Sequence, residues 1–272
     1  MTEDKPDRAG TLERIASVLG AGFGFGFGFG ATVDAQMGDP VTGAMAGETL
    51  AQVAGDFADR VLSPRREQRI SPVLDFAGSL ITDGIASGRT LRDDGFFEAP
   101  HLDATEVFEG VLLISRDEHE QRKLPYIAHL MAQISFDENL TVSTANFLIV
   151  EAERLTWLQM QLLAIVSRSE EFPLPDVHMG AFGSTWGNWT VSHTFHRMVA
   201  PEGAFFQASQ QADDSTGFPG HDLSLRRLQL TSQGALMASA LGLNAVPQEE
   251  LQVSYDTFVE VARLRHEQCG HT

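Results

Sequence analysis

The residue types that carry chemistry are present in this chain but scattered. His193 and His196 stand three apart in a stretch of helical character. That spacing aims both imidazoles at one side of a helix, as a shared metal ion requires. No third ligand is identifiable near them, and packed or surface histidines are the competing reading. His266, Cys269 and His271 form a second possible ligand set, against which stands incidental placement in a frayed last turn. Gly183-Ser184 lacks the glycine two positions later that a nucleophile elbow needs. Glu118 and Glu120 read as a solvated helix start, and Trp157, Trp186 and Trp189 as core or interface anchors. The expectation is a chain without catalytic residues, metal or cofactor, and not an enzyme.

A different kind of signal lies between Arg14 and Asp34, where residues 15–33 carry no charge. Gly20, Gly22, Gly24, Gly26, Gly28 and Gly30 alternate there with Phe23, Phe25, Phe27 and Phe29. In a helix this alternation gives two small-xxx-small rows, Gly20/Gly24/Gly28 and Gly22/Gly26/Gly30, which let helix backbones approach closely in lipid. In a strand it puts every phenylalanine on one face and bare glycine on the other. A water-exposed helix with so many glycines loses about 1 kcal/mol per glycine relative to alanine. Something outside the segment must therefore order it. Membrane contact, packing in an oligomer and a low-complexity tail are the three readings left open. A dinucleotide fingerprint is excluded, because no strand precedes the glycines and phenylalanines fill the positions a phosphate loop keeps open.

Charge narrows the partners. The formal net charge is -18 over 272 residues, which disfavours nucleic acid, since phosphate contacts need clustered Lys and Arg. The best basic cluster, Arg60, Arg65, Arg66 and Arg69, reads as a solvated helix face. One cysteine permits no internal disulfide. Residues 1–14 mix acidic with basic side chains, unlike a secretory leader. The expected location is cytoplasmic, with membrane association through residues 15–33.

Apolar spacing organises the remainder into helices. Asp39-Pro40 opens one over 40–62, and Ser63-Pro64 begins the next, carrying Ile70, Val73, Leu74, Ala77, Ile81 and Ile85 and closing near Gly88. Pro72 is expected to delay its start. A polar loop over 89–102 leads to a capping-box-like Asp103/Glu106 start. Further helices follow over 124–134 and 140–155, and Thr156 with Gln159 opens another. In the last third, 171–187 reads as loop and 188–200 as helix. Residues 203–210 and 223–230 read as a strand pair, Thr231 as the cap of a helix bearing Leu236, Met237 and Leu241, and 247–266 as the final helix. Helix, helix, hairpin, helix is a winged-helix order.

Two stretches also carry a resemblance. Leu228-Gln229-Leu230-Thr231-Ser232-Gln233-Gly234 resembles the end of a winged-helix wing running into its closing helix. Residues 123–166, a Lys123-led helix, a second helix and the Leu155-Thr156-x-x-Gln159 step, are similar to the middle of the abortive-infection alpha family of bacterial proteins. The small-residue segment before Arg60-Val61-Leu62-Ser63-Pro64-Arg65 fits the same organisation. The resemblance implies a role in phage defence and carries no catalytic residue across.

The expected fold is mainly α, a helical bundle over 41–155 followed by a winged-helix-like α+β domain over 156–272, with residues 1–40 as a glycine/phenylalanine-rich N-terminal tail. The expected function is that of a non-enzymatic defence-type effector or adaptor. It self-associates, as a homo-oligomer with a glycine zipper, and contacts membrane or an unknown protein partner through Gly20 to Gly30. The alternative is a soluble winged-helix interaction module that binds a protein, with DNA ranked behind.

Overall fold

In a computed structural model of the chain, residues 64–97, 103–175, 186–199, 205–208 and 225–269 are described, and among them the chain is mainly helical with one two-stranded sheet. It divides into two compact units, Met1–Arg154 and Leu155–Thr272. The helix expected over 40–62 lies outside the described residues.

The first unit holds α1 (Pro64–Ala86), α2 (Asp103–Asp117), α3 (Leu124–Phe136) and α4 (Val142–Arg154). Helix α1 packs on α2 and α3, and α2 on α4. Their apolar stripes converge on a core that includes Val73, Val107, Phe108, Val111, Ile127, Leu130, Ile134 and Leu148. Each such side chain favours burial by about 1.5–3 kcal/mol. Pro72 does not delay α1 but sits inside it. Its ring lies on the exposed side, where water can satisfy the carbonyl left without an N–H donor. At the other end Gly88 takes φ of 91°. Its N–H donates to the Ile85 carbonyl and that of Arg89 to the Gly84 carbonyl, each at 2.9 Å. That pair of bonds is a Schellman stop, and the positive φ suits glycine.

The loop after α1 is less polar than its composition suggests. Leu91, Phe96 and Phe97 are buried, and the two phenylalanine rings pack on each other and on Phe108 at centroid distances of 5.0–6.1 Å. At the start of α2 the Glu106 carboxylate accepts from the Asn146 side chain on α4 at 2.9 Å.

The second unit holds α5 (Trp157–Ser167), α6 (Trp186–Val199), β1 (Phe206–Ala208), β2 (Leu228–Leu230), α7 (Ser232–Ala240) and α8 (Gln248–Cys269). Its centre is α5, which packs on α6, α7, α8 and β2 and is buried from Met160 to Val166. The start of α5 is a capping box. Gln159 N–H donates to Thr156 Oγ1 at 3.3 Å, and Thr156 N–H to Gln159 Oε1 at 2.8 Å.

The strand pair is antiparallel, with Phe206 opposite Leu230, Gln207 opposite Gln229 and Ala208 opposite Leu228. It is shorter at its second strand than expected, because Leu225–Arg227 form a 3-10 turn. Leu225 and Leu228 are both buried. A spacing of three brings them to one side as a turn does and as strand alternation does not. Met237 on α7 and Leu241, which caps it, face the core as expected, whereas Leu236 is exposed.

Candidate functional site

The sharpest departure from the expected surface is the elbow between α2 and α3. Glu118 is not solvated: its side chain is 4% exposed, and that of its ion-pair partner Lys123 is 2% exposed. Lys123 Nζ binds Glu118 Oε2 and also donates to the Glu153 carbonyl on α4 at 3.2 Å. Glu118 Oε1 accepts the Glu120 N–H at 2.8 Å and lies 3.4 Å from His119 Nδ1. Glu118, His119 and Glu120 thus bring three potential metal donors together. A divalent ion there would have to stand beside the ammonium that already neutralises Glu118, so the cluster fits a structural tie and not a metal site.

A second buried cation holds the loop that follows α1. Arg92 is buried and donates to the Ile134 and Leu140 carbonyls at 3.3 and 2.9 Å. Its Nε meets Asp94 Oδ1 at 2.9 Å, and its guanidinium lies 4.2 Å from the Phe96 ring centroid. Hydrogen bonding from Arg92 holds the Asp94 carboxyl below the usual carboxylate range, against the opposing effect of burial.

Two outer faces present apolar side chains. On α6, which has no Asp or Glu in this acidic chain, Trp189 is 39% exposed. His193 lies flat against it, ring centroids 4.8 Å apart at an interplanar angle of 6°. Trp157, by contrast, is a core residue.

The other face runs along α2 and α4. Asn146 reaches Glu106, and a Cβ on Gly110 would stand 3.5 Å from Ile149 Cδ1, so the two helices run side by side in the same sense. Leu113 follows Gly110 by one turn on α2, and Phe147 and Val150 stand next in sequence to Asn146 and Ile149 on α4; all three are exposed, at 38%, 44% and 41%.

Gly20, Gly22, Phe23, Gly24, Phe25, Gly26, Phe27, Gly28, Phe29 and Gly30 lie outside the described residues, as do Gly183, Ser184 and His271 and the side chains of Trp186, His196, His266 and Cys269. Among the described residues no helix is long and apolar enough to cross a membrane. No protein-family model, curated protein or solved structure matches this chain.

Sequence reasoning missed the Lys123–Glu118 pair and the α2–α4 seam. The pair had one signal, a lysine at the head of an otherwise apolar helix, LPYIAHLMAQISF. The seam had Phe147 and Val150 off the buried stripe of α4 formed by Ala145, Leu148, Ile149 and Ala152.

Proposed function

We propose that the chain is a non-catalytic interaction protein, a defence-type effector or adaptor, in which residues 15–33 make the contact with membrane or with another copy. The single observation that carries the reading is the exposed apolar group of Leu113 on α2 and Phe147 and Val150 on α4. Phe147 and Val150 stand one turn apart on the same helix, and exposed apolar side chains grouped in this way mark contact surfaces. The similarity of residues 123–166 to the abortive-infection alpha family supports the defence role.

The experiment is size-exclusion chromatography with light scattering on the full chain and on a chain lacking residues 1–40, together with membrane fractionation of both. The expected result is that the full chain self-associates or sediments with membranes and the shortened one does neither. Identical behaviour of the two would remove the reading.

A second reading, a winged-helix interaction module in Leu155–Thr272, is favoured by one detail at the hairpin. The Phe205 carbonyl accepts the Thr231 N–H at 3.0 Å, and a Cβ on Gly234 would stand 2.2 Å from that oxygen. Thr231 Oγ1 in turn accepts the Gly234 N–H at 3.0 Å. The Leu-Thr-x-x-Gly step therefore has a physical basis here: a hydroxyl cap, and a glycine where the returning chain leaves no room for a side chain.

A further inference from the structure

We infer that the α2–α4 seam is the dock for this chain's own glycine–phenylalanine segment, which it covers until a membrane or a second copy competes for it. The inference rests on the proposed contact role of residues 15–33 and adds where they are held. Three observations favour this occupant.

The first is where the undescribed chain joins the unit. Residues 1–63 enter at Pro64, and Arg69, little more than one turn later, donates from Nη1 to the Arg116 carbonyl at 3.3 Å. Arg116 lies one turn beyond Leu113, so the chain arrives at the end of the seam. The residues between Gly30 and Pro64 span roughly 110 Å if extended, far more than the roughly 22 Å length of α2.

The second is chemical fit. Leu113, Val150 and Phe147 offer exposed apolar side chains against which aromatic rings can pack. An alternating segment with Phe23, Phe25, Phe27 and Phe29 on one side and glycine on the other supplies a row of rings with little bulk behind them.

The third is charge and tethering. A second whole chain also carries -18 and is repelled by this one, whereas residues 15–33 bring no charge. A tether also holds its end at an effective concentration on the order of a millimolar, well above micromolar free protein.

The test is cysteine trapping in the full chain. Cys269 is replaced by Ser, and Phe27→Cys is combined with Val150→Cys or, as reference, with Asp83→Cys on the exposed side of α1. At micromolar protein the V150C pair should close within one chain about tenfold faster than the D83C pair, the preference that tethered docking permits. Leu113→Asp with Phe147→Asp should erase the difference while leaving the helical circular dichroism unchanged, because both positions are exposed.

Equal closure rates, or a disulfide linking two chains, would overturn the dock. Deleting residues 15–33 separates this from the proposed function. If deletion abolishes self-association or binding to phosphatidylglycerol vesicles but trapping shows no preference, the dock falls and the contact role stands. If trapping shows the preference but deletion changes neither property, the contact role falls and the dock stands.

Discussion

One crossing in the first unit, from the head of α3 to a carbonyl of α4, is made by an ammonium ion; one in the second, from α5 to a carbonyl of α8, is made by a neutral amide. Lys123 reaches the Glu153 carbonyl at 3.2 Å and needs Glu118 beside it. Gln161 reaches the Glu250 carbonyl, also at 3.2 Å, and accepts from the Ser254 hydroxyl at 3.0 Å. Both side chains are buried. The ion pair pays a desolvation cost on each partner and depends on both being present, while the amide carries its own donor and acceptor. The two units should therefore respond differently to removal of a single group.

Lys123→Met should give the largest effect. It leaves Glu118 charged and buried without its counterion, at a cost of about 3–5 kcal/mol. Glu118→Leu added to Lys123→Met should recover most of that loss, because the pair's own net contribution is small once both charges are gone. Trp157, Trp186 and Trp189 all lie in the second unit. Tryptophan fluorescence consequently reads that unit alone, while circular dichroism reads both. The expected outcome is a lowered dichroism transition with the fluorescence transition in place. A double variant no more stable than K123M would show that the elbow is not held by charge pairing.

Gln161→Leu should cost less, about 1–2 kcal/mol, since it removes hydrogen bonds without stranding a charge. This time the fluorescence transition should move. A loss as large as that of K123M would break the contrast between the units, because a neutral tie would then matter as much as a charged one.

How much of this was legible in the sequence follows the range of the interactions. The Thr156 and Thr231 caps depend on residues three apart, and the stop at Gly88 on a single local turn, so each could be read directly. Pro72 was misread because a proline inside a helix is tolerated where its side of the helix faces water, which only the packing of α1 decides. Glu118 looked solvated because its environment is set by Lys123 and by a carbonyl on α4. The loop holding Phe96 and Phe97 looked polar because Arg92, Asp93 and Asp94 precede them in sequence; in space Arg92 is turned inward to the Ile134 and Leu140 carbonyls. Gly234 was legible as part of a pattern, but its reason, the Phe205 oxygen against its Cα, was not. The α2–α4 seam depends on how two helices align, which periodicity within each helix does not specify.

The smallest effect is expected where a charge pair is only partly buried. Asp94 is 33% exposed, and its pairing with Arg92 lowers its pKa below the ordinary value of 3.8. The sign follows from that direction. A carboxyl with a lower pKa in the folded state than in the unfolded chain stabilises the fold fully above the unfolded value, and the contribution disappears as pH falls through the folded one. Asp94→Asn keeps the size and most of the hydrogen bonding but removes the charge. With solvent screening taken into account, it should cost about 1 kcal/mol or less near neutral pH. The gap between parent and variant, measured as urea midpoints by circular dichroism, should stay constant from about pH 7 to pH 5. It should then close as the pH drops below the ordinary carboxylate value, because both proteins then carry an uncharged group at this position. Added salt at neutral pH should narrow the gap as well, since the exposed part of the pair is screened. The same acid titration applied to Q161L should leave its gap from the parent unchanged, as no ionisable group is involved at that crossing. A D94N gap that persists undiminished into acid would mean that Asp94 acts through its shape and its bond to the Phe96 N–H, at 3.4 Å, and not through the charge of Arg92.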